Sequence, residues 1–396
     1  MASIAPLTAT IFARVVPAPT AAPALKARTV SWLAMQESDA RREWDALADC
    51  AAQPNPFFES WYLLPSLRAL DPTGEVQLLR VDCAGQLAGL LPLIRQKRYY
   101  RWPIPHLRSW VHANCFLGVP LVAAGMERFF WQALLEWTDA NAGIGLFLHL
   151  SHLPLNGPLY DALCAVFAEQ GRSAEVVHRE DRALLKSELS SAAYLETALS
   201  AKRRKELRRQ YARLSELGAL QFERHLDCQA LPEWIESFMA LELSGWKGAR
   251  ASAIASHQTT RELFRDALTG AAAQGKLERL TMSLDGEPLA MLVNFLTPPG
   301  AFSYKTAFDE RYARYSPGVL LQRENLAILE HPQIRWSDSC AAADHPMIDH
   351  IWRERRAIGR LSITIGGSFR RRVFQAIVGA EVARSKIESG PARTLL

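Results

Sequence analysis

The chain of 396 residues and 44.2 kDa is 49% hydrophobic and 22% charged, with a formal net charge of +5 and a pI near 8.9. That balance excludes a disordered or fibrous chain, and two globular domains fit the length better than one. Six scattered cysteines without a Cys-x-x-Cys pair argue against a zinc or iron–sulfur site and read as reduced thiols in a cytoplasmic protein.

Residues 1–28 are rich in Ala, Pro and Thr and are expected to form a flexible arm. Pro6, Pro17, Pro19 and Pro23 interrupt any helix, and no basic stretch precedes the apolar Ala2–Val16 segment, which disfavours a signal peptide. Helical periodicity follows over Ser38–Ala51 and Trp61–Ala69, then strands over Val76–Val81 and Leu87–Ile94 joined by an Ala84-Gly85 turn. Arg95–Trp110 mixes cations with aromatics, the composition of an interfacial or sugar-contacting loop. A helix over Met126–Asn141 and a strand over Gly145–Leu150 close this half.

Tyr194–Leu217 reads as one long helix stopped by Gly218. Leu207, Tyr211 and Leu214 recur at helical spacing, so one face packs and the cations Lys202 to Arg213 mostly occupy the solvated face. Helices over Leu231–Leu243 and Gln258–Ala273 precede strands Leu277–Leu284, Leu289–Leu296 and Ala301–Phe308, with Asp285-Gly286 a strong hairpin signal. A helix over Gly318–Glu330 and a strand over Ile334–Ser337 complete the second half, and Ser368–Lys386 is a basic amphipathic pattern with Phe369, Val373 and Ile377 on one face.

The junction after Phe308 predicts an anion cradle. Ser316 suits an N-cap, Pro317 the first helical position and Gly318 a close backbone approach, so the N–H groups of Gly318, Val319 and Leu320 are expected to face a phosphate with Arg311 and Arg314 nearby. An ordinary capped helix is the alternative.

Two helices, a three-stranded meander, a helix and a further strand is the order of the GNAT acyltransferase fold. The chain resembles the CelD/BcsL-type acetyltransferase family of that superfamily, related to Fem-type transferases. The likeness rests on Asn55-Pro-Phe-Phe58, Gly89-Leu-Leu-Pro-Leu93, Ser200-Ala-Lys-Arg-Arg-Lys205, Gly245-Trp-Lys247, Tyr304-Lys305, Phe308-Asp309, Ser316-Pro-Gly318, Asp338-Ser339 and His345 before Trp352. It implies an α/β fold with a mixed sheet and two GNAT-like domains in tandem, and acyl transfer from acyl-CoA without a metal. The expected division is an arm at 1–28, a non-catalytic GNAT-like domain at 29–190, a basic connecting helix at 191–218, the catalytic domain at 219–366, and a basic helix and tail at 367–396. The usual phosphate-loop signature is reduced to Arg314-Tyr-Ser-Pro-Gly318.

Amide formation from a thioester needs a base, a polarised carbonyl and a proton for the leaving thiolate. Asp309, ending the central strand, is the first candidate base, and Asp338, ending the next, shares the role or orders an ammonium; turn-forming or capping is the alternative for Asp309. His345 is a further base. Tyr304 and Lys305 alternate along the strand, so only one is expected to face the cleft: Tyr304 to protonate sulfur, or Lys305 to bind an anionic group. Trp246 and Lys247 offer an aromatic wall and a cation to the acceptor.

The leading reading is an acyl-CoA-dependent N-acyltransferase. Its acceptor is an amine on a cell-envelope building block, either an amino sugar of an exopolysaccharide or a long-chain sphingoid amine giving a ceramide-like product. The protein is expected in the cytoplasm, with peripheral attachment to an anionic membrane as a hypothesis and without nucleic acid; the sequence leaves the oligomeric state open. The second reading is a catalytically silent effector in which Arg356-x-x-x-Arg360 grips a cyclic dinucleotide.

Overall fold

A computed structural model describes residues 25–388. In the first half, strand β1 (Leu25–Ser31) is followed by helices α1 (Ser38–Asp49) and α2 (Ser60–Leu70), then β2 (Gln77–Cys83), β3 (Gln86–Gln96), β4 (His106–Ser109) and β5 (Leu121–Val122). Helix α3 (Glu127–Asn141), β6 (Phe147–Pro154), α4 (Pro158–Gln170) and β7 (Ala174–Leu185) complete it. Two helices, α5 (Ser191–Ala198) and α6 (Ala201–Ser215), connect the halves. The second half runs β8 (Leu220–His225), α7 (Leu231–Ser244), α8 (Trp246–Ala249), α9 (Gln258–Ala273), β9 (Leu277–Leu284), β10 (Glu287–Thr297), β11 (Gly300–Phe308), α10 (Pro317–Asn325) and β12 (Trp336–Asp338). Strand β13 (Glu354–Thr364) and helix α11 (Ser368–Glu388) follow.

The same local chemistry builds both meanders. Ala84 and Gly85, like Asp285 and Gly286, adopt consecutive left-handed conformations, the backbone that a two-residue hairpin with right-handed strand twist requires. The expected meander over Leu277–Phe308 is present, and all eight residues of β9 are buried because helices cover both faces.

All thirteen strands belong to one mixed sheet, ordered β1-β2-β3-β4-β6-β13-β7-β12-β11-β10-β9-β8 with β5 beside β3. Strand β13, from the far end of the chain, lies between β6 and β7 of the first half, antiparallel to both, while β7 reaches across to pair with β12. The expected boundary, which kept 219–366 together, is therefore crossed by three strand pairings. One core cluster spans the junction as well, holding Phe57 and Tyr62 of the first half with Phe295 and Tyr304 of the second.

Three further expectations are corrected. Residues 1–24 lie outside the described residues, but Leu25–Ser31, partly assigned to the arm, pairs with β2 along its whole length. The helix expected over Tyr194–Leu217 is broken at Leu199-Ser200, where Ser200 accepts the Arg203 N–H and caps α6. On α11, Phe374 and Val378 are buried against Tyr99 and Phe147, and Ile377 of the expected face packs beside them half-buried, whereas Phe369 is 72% exposed. No helix of the described residues is long and apolar enough to cross a membrane.

Candidate active site

Strand β11 leaves its neighbour early. It pairs with β12 in parallel over Gly300↔Trp336, Ala301↔Ser337 and Phe302↔Asp338, and from Ser303 onward that edge has no strand partner. On the other edge the register with β10 slips between Val293 and Asn294, leaving Tyr304 opposite no residue. Such a bulge breaks the side-chain alternation of a regular strand. Tyr304 and Lys305 consequently reach one cluster together, and the Lys305 ammonium lies 5.6 Å from the Tyr304 ring centroid, which corrects the expectation that only one of them faces the cleft.

The rest of that cluster comes from the first half. Lys305 Nζ donates to Asn114 Oδ1 at 2.8 Å and sits 5.2 Å from the Phe116 ring centroid. The Tyr62 hydroxyl donates to the Asn114 carbonyl at 2.5 Å and lies 3.0 Å from the Tyr304 hydroxyl. No carboxylate bonds Lys305, and burial, with the Lys247 charge second, pulls its pKa from 10.5 to about 8. Burial pushes both phenols up. His112 stacks on Tyr62 with 11° between the rings, and burial lowers its pKa to about 3, so its imidazole is neutral. Its Nδ1 accepts the Asn114 N–H at 3.3 Å, which assigns the proton to Nε2, and that N–H is enclosed with no partner. Asn114, His112 and Tyr62 were missed from sequence; they come from a loop and a helix that reach Lys305 only through packing of the two halves.

Lys247 and His345 flank this cluster. Lys247 Nζ is paired with Glu242 at 2.6 Å, and the other Glu242 oxygen accepts the Ile254 N–H, so Lys247 is held rather than free. Burial, then the Lys247 charge, lowers the His345 pKa, and its enclosed Nδ1 has no partner. Trp246 is 49% exposed, and Glu310 accepts its N–H at 2.7 Å, which fixes α8 against the end of β11.

The two carboxylates expected to act as bases are both engaged. Asp309 accepts the Arg311 backbone N–H at 2.9 Å and three bonds from its guanidinium, the shortest 2.6 Å, and these hold its carboxyl below the usual range. It caps the turn after β11, the alternative weighed for it. Asp338 is fully buried between Arg182 and Arg356, whose NH2 and NH1 donate to Oδ2 at 3.1 and 2.9 Å. Arg182 Nε lies 2.9 Å from Oδ1, close enough for an ion pair although too poorly aligned for a hydrogen bond, and the Cys340 N–H donates to the same oxygen. This charge cluster ties β7, β12 and β13 together and leaves no lone pair aimed at a substrate. Arg356 is thereby consumed, so Arg356 and Arg360 do not form a joint grip on a nucleotide.

The anion cradle is also corrected. Ser316 is left-handed and makes no side-chain cap; its carbonyl accepts the Val319 and Leu320 N–H groups at 2.9 and 3.0 Å, and its hydroxyl accepts from Gln210 of α6. Gly318 is buried, and a Cβ there would sit 2.5 Å from Met347 Sδ and 3.3 Å from Phe308, so a side chain occupies the approach. Arg311 is spent on Asp309. Arg314 instead lines, with Arg209, Gln210 and Arg213 of α6, a cleft of about 350 Å³ that the sequence pattern did not show. Among the described residues no group of three His, Cys, Asp or Glu side chains is placed to hold a metal.

Residues 201–345 match the acetyltransferase (GNAT) domain family. Structural neighbours include FemX, at 10% identity and a TM-score of 0.53 over 89% of this chain and 100% of that one. The C-terminal domain of a putative lysylphosphatidylglycerol synthetase from Agrobacterium fabrum gives 13%, 0.53, 90% and 100% for the same measures. A conserved protein of unknown function from Bacteroides thetaiotaomicron gives 9%, 0.51, 82% and 97%. No curated protein sequence matches the chain. The chain shares its fold with these solved structures, and its residues 201–345 match a domain of the GNAT acetyltransferase type.

Proposed function

We propose that the protein is an acyl-CoA-dependent N-acyltransferase whose proton acceptor is Lys305. The observation that carries this reading is the pairing, at the splayed and bulged part of β11, of an amine with a pKa of about 8 and a neutral imidazole whose enclosed Nε2–H has no partner. A general base works best with a pKa near the operating pH, and a fixed N–H in a dry site stabilises the oxyanion of an acyl-transfer intermediate.

The acceptor amine attacks the thioester carbonyl, whose oxygen is polarised by His112 Nε2–H. Neutral Lys305 takes the amine proton as the C–N bond forms; the C–S bond breaks and the Lys305 ammonium returns a proton to the thiolate. Tyr304 is the poorer acid because its phenol is pushed above its ordinary 10. Burial holds Cys115 near pKa 12 and Cys340 well above its ordinary 9, so neither thiol is ionised to form an acyl-enzyme, and transfer is direct. Arg314 and Arg213 carry the donor phosphates in their cleft, with Met347 yielding to the pantetheine arm.

The acceptor is an amine on a cell-envelope building block, an amino sugar or a long-chain sphingoid amine, in keeping with the CelD/BcsL-type resemblance. Exposed Phe369 beside Arg371 and Arg372 supports contact with an anionic membrane, checked by pelleting with anionic against neutral vesicles. The decisive experiment follows thiol release with acetyl- to palmitoyl-CoA against both amine classes. Amine-dependent release lost in Lys305→Met is expected; no release from any combination overturns the reading.

A further inference from the structure

The first half has a splayed cleft of its own, and it is open. Strands β4 and β6 pair in parallel over only Leu107↔Leu148 and Arg108↔His149, as β11 and β12 do in the second half, and the separation encloses a cavity of about 410 Å³. Its wall carries Arg98, Arg108 and Arg360 with three histidines and not one carboxylate. None of these arginines has an acidic partner among the described residues, and Arg108 Nε is enclosed with no partner at all. Burial and the Arg360 charge both disfavour the charged form of Arg108, so two cations face one concavity without a counter-ion.

The backbone builds this arrangement. Where β13 runs beside β6, Gly359 pairs with Leu153 and Leu361 with Leu150, leaving Arg360 as the bulged residue opposite Ser151 and His152. His152 is itself left-handed at φ 53, a conformation non-glycine residues rarely adopt. Both irregularities line the cavity, and bulges re-aim side chains in this manner. Arg360 reaches this wall from the exchanged strand β13, far along the sequence from Arg108.

We propose that the cleft between β4 and β6 binds a phosphate-bearing organic molecule, its phosphate gripped by Arg108 and Arg360. Paired guanidiniums suit the fork geometry of phosphate oxygens, and the volume lies in the range of about 300–1,000 Å³ of small-molecule sites. The cleft adjoins the candidate active site: Val111 lines it, while His112 and Asn114 of the same loop contact the Lys305 cluster, and His152 Nδ1 lies 3.2 Å from the Cys115 carbonyl between them. This site stands whether or not the chain transfers acyl groups.

Calorimetric titration of the full chain with inorganic pyrophosphate tests it. Saturable binding is expected, weakened roughly tenfold or more in Arg108→Gln and Arg360→Gln and unchanged in Arg41→Gln, which removes an exposed cation on α1. Thermal unfolding confirms that each variant is folded, and Arg98→Gln, an exposed rim change, supplies a further variant if Arg108→Gln is not. Displacement of pyrophosphate by CoA would assign the site to a CoA phosphate, and failure to displace it to a phosphorylated acceptor. No saturable binding to the wild type, or equal binding by Arg360→Gln, overturns the proposal.

Discussion

Lys305 and Asn114, 191 positions apart in sequence, are joined by a 2.8 Å hydrogen bond that ties the bulged strand of the second half to a loop of the first. Asn114 Oδ1 accepts a hydrogen bond from the ammonium without bringing a carboxylate's charge, and burial, with the Lys247 charge second, holds the pKa near 8. Acyl transfer is therefore expected to rise with pH through an apparent pKa of about 8 and level above it. Lys305→Arg, charged throughout, removes both the activity and that limb; a wild-type profile that is flat from pH 7 to 9 would remove Lys305 as base.

The same shift fixes the sign of a stability effect. Lys305 titrates at about 8 when folded against 10.5 unfolded, so the unfolded chain binds more protons between those values and stability rises with pH across that window. Below pH 8 the full cost of burying the charge is present. Denaturation midpoints of wild type relative to Lys305→Met, measured from pH 7 to 10.5, are expected to move in favour of the wild type as pH rises.

His112→Ala is expected to lower kcat by roughly 100-fold while leaving KM for both substrates near wild type, since an oxyanion donor acts in the transition state. Steady-state kinetics decide it: a change confined to KM would make His112 a binding residue.

Asp309→Asn separates the present site from the sequence expectation. The Asn side-chain oxygen still accepts the Arg311 N–H and only the ion pair to an exposed guanidinium is lost, so stability is expected to stay near wild type, with thiol release retained. Urea unfolding beside a thiol-release assay checks both; abolished turnover in a folded variant would restore Asp309 as base.

Asp338→Asn is expected to be far more damaging. It leaves the buried guanidiniums of Arg182 and Arg356 without a counter-charge, a loss of about 3–5 kcal/mol. A denaturation midpoint close to wild type would show that water already reaches the pair.

Local signals carried the readable part of the fold. The Asp285-Gly286 turn, the apolar runs of β9 to β11 and the helical periodicity of α9 each depend on neighbours in sequence, and the expected elements are where the residues placed them. Strand β7 was not legible, since Glu175, Val176, His178, Arg179 and Asp181 are exposed and only its end, Ala183–Leu185, enters the core. Lys305 was named for a different task, and its partners were invisible because a bulge, a loop of the other half and an exchanged strand assemble them. Asp338 looked catalytic for the reason it is structural: a lone carboxylate at a strand end draws whichever cations the fold brings, and here the fold brings two.

Because Glu354–Thr364 is synthesised after every other strand of the sheet, β6 and β7 emerge from the ribosome with a slot between them that stays empty until the end. Chains halted before residue 354 present two bare inner edges of that slot, the kind of surface that pairs with other molecules. Dissecting the protein into separately expressed halves will therefore yield sticky fragments, whereas supplying the missing β13 segment in trans should let it click into place.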